Sequence, residues 1–313
     1  MKIDDKGNII VGSLAILIVA LLIIAVVVLT SIWYIDSQNI DAKANDNFKY
    51  IVDDYTNNLG VLGRESINDV TERVYNSFRV TNSPKEISKA LEKRLEEKNK
   101  EYEEKYDVKI TSKVLSVENT DSPWNILFKV RLHVEKGNEK YDGIVEKNAS
   151  VEGLKDPLPL AKFSRVSGIL FYDGEIHYGK VLAGYLYFRH FDSPWSYLLA
   201  TSPLYIKKCP YDPYIHHGDE GVLKDCLKNG YFHESADGSC YLCRLEGKGK
   251  CPHYGFEVFI QTHTPLTNDS LSCPDHVVYA DHYNGQKIDE YDINSLILDD
   301  SHRKKYGIDT NGQ

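Results

Sequence analysis

Hydrophobic positions along the chain follow three rhythms in succession. The first is continuous: Asn8 to Ile35 contains no charged side chain. At 1.5 Å per residue a helix over this run would reach about 42 Å, more than the ~30 Å hydrocarbon core of a bilayer, so the pattern predicts a transmembrane helix at 8–35. Trp33 and Tyr34 stand where an interfacial aromatic belt would lie, and Asp36 ends the run. The second rhythm is helical. From 36 to 106 the chain reads as a helical stalk, broken at Gly60 and Gly63, with Ile67, Val70, Val74 and Phe78 on one face. Ser83-Pro84-Lys85-Glu86 fits a capping box, and Ile87, Leu91, Leu95, Lys98, Tyr102 and Tyr106 trace the inner stripe of the helix it would open.

The third rhythm has a period of two. Ile126, Phe128, Val130, Leu132 and Val134 alternate with Leu127, Lys129, Arg131 and His133, which marks a half-buried strand. After Gly137-Asn138 the alternation resumes from Tyr141 to Val151. Gly168 to Tyr172 and Glu175 to Tyr178 flank Asp173-Gly174, a strong hairpin signal. Val181 to Phe188 and Phe256 to Ile260 read as further strands. Helices first and strands later predict an α+β fold: an N-terminal transmembrane helix, a helical stalk, and an antiparallel-sheet head with a cysteine-stapled C-terminal region. The expected divisions are a cleavable leader at 1–7, the helix at 8–35, the stalk at 36–106, a β-rich head at 107–200 and a Cys/His-rich part at 201–313.

All six cysteines fall in that last part: Cys209, Cys226, Cys240, Cys243, Cys251 and Cys273, with five histidines (216, 217, 233, 253 and 263) in the same window. For a domain outside the cell an even count implies a disulfide framework, with fifteen conceivable connectivities. The rival reading is a structural zinc site in which the C-x2-C pair Cys240 and Cys243 is joined by Cys251 and either His253 or Cys273. Redox chemistry by the same pair is the third reading, and it lacks the surrounding βαβ pattern. Disulfides come first among these, with no cofactor expected and zinc as the alternative.

Other candidates are weaker. His216-His217 lies among Pro210, Pro213 and Gly218 and reads as surface loop. Asp275-His276 and Asp281-His282 would put both histidines on one face if they lay on a strand. A net charge of −9 without a basic run argues against a nucleic-acid partner, and His302-Arg303-Lys304-Lys305 reads as a solvated tail. No nucleophile elbow, H-E-x-x-H helix or phosphate loop occurs. Glu234, Asp237, Glu246 and Glu257 supply carboxylates, but no spacing singles out a catalytic pair. The 22 tyrosines suit recognition surfaces as well as ordinary sheet faces. Asn148-Ala149-Ser150 and Asn268-Asp269-Ser270 match the N-glycosylation pattern.

Lys6-Gly7-Asn8 followed by Ile9-Ile10-Val11 resembles the class III signal peptides of archaeal type IV pilin-like proteins, in which a membrane peptidase cuts after the glycine. The resemblance covers residues 1–35; Val151-Glu152-Gly153-Leu154-Lys155-Asp156-Pro157-Leu158 also looks like a stretch of such proteins. It implies cleavage between Gly7 and Asn8, retention of the helix, and pilin-like subunits among the partners. Gly12 stands where bacterial pilins carry a glutamate, and a plain uncleaved signal anchor is the competing account. The expectation is thus a single-pass, membrane-anchored, extracytoplasmic surface protein with a structural, adhesion or recognition role and surface ligands. The alternative is a membrane-tethered, metal-dependent enzyme or sensor built on the Cys/His-rich region.

Overall fold

The computed structural model describes residues 5–163, 168–191, 194–219, 221–262, 272–279, 286–288 and 296–308, with the side chains of 5–16, 33–46 and 286–288 left aside. The fold is α+β and its sheets are mainly antiparallel. The first helix, α1 (Asp5–Tyr75), is followed by α2 (Ser83–Tyr106) and by three strands, β1 (Lys109–Asn119), β2 (Asn125–Lys136) and β3 (Glu139–Ser150), in the order β1-β2-β3.

The alternating run becomes the central strand β2, and all five of its apolar positions are buried. Helix α1 packs on β3, and α2 packs on both α1 and β1. Ile67, Val70 and Val74 are fully buried as the helical period predicts, but Phe78 is 40% exposed and Val80 takes the core position beyond the helix end. Gly60 and Gly63 do not break α1. A Cβ at Gly63 would come within 2.7 Å of the Phe128 ring, and one at Gly60 within 3.3 Å of the Asn148 carbonyl. These glycines therefore bring the helix close to the sheet. The capping box shifts by one residue: Asn82 is the cap, accepting from the Lys85 amide, while Glu86 pairs with Arg73 and Lys89.

Two larger expectations are corrected. Among the described residues no helix is long and apolar enough to cross a membrane. That finding overturns the predicted span at 8–35 and the membrane location built on it. The second correction concerns the disulfides: all six cysteines are free.

After β3 the chain forms α3 (Leu158–Phe163), then β4 (Leu170–Tyr172) and β5 (Glu175–His177), joined by Asp173 and Gly174, both at positive φ. Val181 to Phe188, expected as a strand, lies in α4 (Gly179–Phe188); Leu182, Ala183 and Leu186 are buried together, a helical spacing. The remaining elements are β6 (Thr201–Pro203), α5 (Val222–Asn229), β7 (Phe232–Ser235), α6 (Tyr241–Leu245), β8 (Gly255–Gln261), β9 (Ser272–Pro274), α7 (Asp275–Tyr279), β10 (Gln286–Ile288), β11 (Leu296–Leu298) and α8 (Asp300–Lys305). They build a second sheet, β10-β11-β9-β8-β6-β5-β4, with β7 paired to β8 and only β9 and β11 parallel.

Helix α6 joins the two parts. Its Leu242 carbonyl accepts from the Ser83 hydroxyl at 2.8 Å, and Glu246 accepts from the Ser83 amide at 2.8 Å. Tyr241 shares a hydrogen bond with Thr71 at 2.7 Å. The fully buried Arg244 grips Asp156 through two bonds of 2.8 and 2.6 Å, meets Asp275 at 2.8 Å, and lies 5.5 Å from the ring centres of both Phe232 and Phe256.

Candidate metal centres

The cysteines and histidines of the C-terminal part converge in two separate sets of four. The first joins Cys209, His217, Cys226 and His233, all buried. Each comes from a different element. Cys209 follows β6 and is held by its amide bond to the Phe232 carbonyl; His217 lies in the 3₁₀ turn Tyr214–Gly218; Cys226 is on α5 and His233 on β7. The second set joins Cys240, Cys243, Cys251 and His253. Here Cys240 precedes α6, Cys243 is within it, and the other two lie on the loop leading to β8. His253 is exposed, so this set reaches the surface at one edge.

Four donors at tetrahedral angles around an ion, with metal–sulfur bonds of ~2.3 Å and metal–nitrogen bonds of ~2.0–2.1 Å, would lie roughly 3.8 Å apart for S···S, 3.6 Å for S···N and 3.3 Å for N···N. The first set shows Cys209 Sγ to Cys226 Sγ at 4.0 Å, Cys209 Sγ to His217 Nε2 at 3.4 Å, Cys226 Sγ to His233 Nε2 at 3.0 Å, and His217 Nε2 to His233 Nε2 at 3.1 Å. In the second set His253 Nδ1 lies 3.6 Å from Cys240 Sγ and 3.7 Å from Cys243 Sγ. A disulfide would need sulfurs about 2.05 Å apart, so the 4.0 Å pair is not one.

The surroundings orient the donors. His217 Nδ1–H donates to the Tyr214 carbonyl at 2.7 Å, which leaves the Nε2 lone pair facing the sulfurs. Cys251 Sγ accepts from the Cys240 amide at 3.3 Å. One thiol in each set ionises readily. Hydrogen bonding from Cys226 pulls Cys209 down to about 3 against the effect of burial, with His217 adding to it. Bonds from Cys240 and Cys243 hold Cys251 far below the ordinary thiol range. The same sharing pushes the partner thiols up: Cys226 through Cys209, and Cys243 through Cys240 and Cys251. Burial keeps His233 below its usual value, hence neutral. Converging sulfur and imidazole donors form a set that a divalent cation such as zinc would satisfy.

A third group is different in kind. Glu257 on β8, His276 on α7 and His302 on α8 are buried together, with Glu257 Oε2 lying 3.1 Å from His302 Nε2 and 3.3 Å from His276 Nδ1. Apart from these groups, a groove of about 520 Å³ is lined by Leu170, Tyr172, His177, Lys180, Leu198 and Leu199 among others. The 3₁₀ turn beside it exposes Trp195.

The expected zinc alternative is thus assembled with His253 as its fourth member. Cys273 stays outside both four-donor sets, fully buried with its sulfur 3.8 Å from the Tyr197 hydroxyl. His216 lies on the surface with Asp219, but its neighbour His217 turns inward. The presumed solvated tail is also corrected, because His302 and Arg303 are buried. Asn148 is exposed on β3, and Gly7 and Asn8 lie on the backbone of α1. Asn268, His263, Asp281 and His282 fall outside the described residues. The first set was not anticipated: its C-x7-H-x8-C-x6-H spacing contains no close pair to signal it. Comparison with protein-family models, with curated proteins and with solved structures finds no match, and the reading of these centres rests on their geometry.

Proposed function

We propose that the chain is a zinc-stapled α+β protein with a structural and recognition role, in which two four-ligand zinc sites hold the C-terminal part in shape. The observation that carries this is the pair of Cys/His sets at the edge lengths of a metal-centred tetrahedron. Four protein donors leave no coordination position for a substrate, which supports structural sites over catalytic ones. Short strands and helices of three to ten residues dominate this part of the chain, and elements of that size gain stability from cross-links that a small core does not supply. The groove lined by Leu170, Leu198 and Leu199 supports the recognition role, because concave, largely apolar sites with a few polar groups are where small ligands and peptide side chains bind.

The test is elemental analysis of the purified full chain together with the single variants Cys226→Ala and Cys243→Ala. The wild type should carry at least two equivalents of zinc, and each variant should lose one. A metal-free chain whose melting is unaffected by a chelator would overturn the proposal.

A further inference from the structure

Beyond the two Cys/His sites, we infer that Glu257, His276 and His302 form a third metal site, for a divalent first-row ion, of the two-histidine, one-carboxylate type. Two imidazole nitrogens and one carboxylate oxygen, from three elements of the C-terminal part, converge here. Glu257 Oε2 faces His302 Nε2 at 3.1 Å and His276 Nδ1 at 3.3 Å, close to the separation expected between N and O donors on one ion. Glu257, His276 and His302 are 1%, 5% and 3% exposed. Desolvating a carboxylate and two imidazoles this completely is costly unless each is paired or ligated.

The surrounding contacts fit ligation. Lys305 Nζ at 2.8 Å and the Tyr306 hydroxyl both donate to Oε1, so the carboxylate would bind through Oε2 alone. Ser235 donates to Oε2 at 2.8 Å and fixes its direction. His302 Nδ1 lies 2.8 Å from Asp299 Oδ1, the carboxylate–histidine arrangement that sets the tautomer of metal-bound imidazoles. Metal entry would displace the proton shared between His302 Nε2 and Glu257 Oε2 into solvent. Among the described residues three protein donors meet here, against four in each Cys/His set. The site also adjoins the first set, since Glu257 is the cross-strand partner of His233, and the Tyr306 ring lies 5.1 Å from that of His233.

The test is cobalt(II) titration of the metal-free full chain, followed by absorption. The first two equivalents should bring sulfur-to-cobalt charge transfer; a third should add d–d absorption with no further charge transfer, and should be lost in His276→Gln and in His302→Gln. Saturation at two equivalents, or a third that survives both substitutions, would overturn the third site while leaving the zinc proposal standing. No binding at all would overturn both. Should the variants fail to fold, the wild-type titration decides alone.

Discussion

The two halves of the molecule bury their residues by different means. Between Phe48 and Val151 the core is a layer of aliphatic and aromatic side chains, in which α1 and α2 cover one face of three long strands. Between Cys209 and Ile308 the strands have three to seven residues, and among buried apolar side chains such as Phe232, Phe256 and Val258 the interior also holds cysteines, histidines, Glu257, and Arg244 with Asp275, joined by Asp156 from the first part. Long elements with a clean period can each contribute several buried apolar side chains, at ~1.5–3 kcal/mol apiece. Short elements contribute fewer each, and here buried polar junctions that are costly to leave incomplete stand among their apolar side chains. The first region should therefore degrade gradually under mutation, and the second abruptly.

Metal removal should separate the regions most sharply. Apparent binding free energies of structural zinc are ~10–16 kcal/mol per site, far above the stability of a part this size. Hydrogen exchange after chelation should show protection lost in α5, β7, α6 and β8 and largely kept in β1, β2 and β3; equal loss in both would mean that they form one cooperative unit. Phe128→Ala is the converse perturbation. It empties the pocket that Gly63 makes against the sheet and should cost ~3–5 kcal/mol in denaturant unfolding while leaving metal content unchanged.

The joint between the regions offers intermediate effects. Arg244→Met strands Asp156 and Asp275 in the interior and should cost about 3 kcal/mol; the accompanying Asp156→Asn and Asp275→Asn changes should recover part of that. The smallest effect is expected at Glu246. Burial opposes its ionisation, but bonds from Lys248 and from the Ser83 amide and hydroxyl outweigh this, and its carboxyl sits below the ordinary range. A carboxyl lowered on folding stabilises the folded state above its unfolded value of 4.5, and that stabilisation fades as pH falls through the folded value. Glu246→Gln should thus lower stability by at most about 1 kcal/mol at neutral pH and flatten the acid limb, read by thermal melts from pH 7 to 3.

Legibility in the sequence follows the same division. β2 and the stripe of α2 could be read because their period is the direct imprint of a one-sided environment. The hairpin at Asp173-Gly174 could be read because its turn needs positive φ, which few residues tolerate. The C-x2-C pair pointed to the second metal centre, since two of its ligands are local. The first centre draws on four elements, so its ligand spacing records loop lengths and nothing chemical. His302 was hidden for a related reason: a basic tetrapeptide looks solvated until the carboxylates that receive it, Glu257 and Asp299, are placed in space. The expected membrane helix rests on an uncharged run and the expected disulfides on an even cysteine count for a domain placed outside the cell, and neither says whether sulfurs meet at bonding distance.

The β7–β8 pairing has a consequence for how the protein reaches its native state. His233 stands opposite Glu257 and Ser235 opposite Gly255, and after a bend Ser239 returns to bridge Phe256 just before Cys240. Sliding one strand past the other by a single residue would turn His233 and Glu257 to opposite faces and draw Cys240 away from its partners. An ion can then be held only by the correctly paired hairpin. Metal capture would act as a proofreader of strand register, retaining the right alignment and leaving misaligned chains without the cross-links that would make them persist.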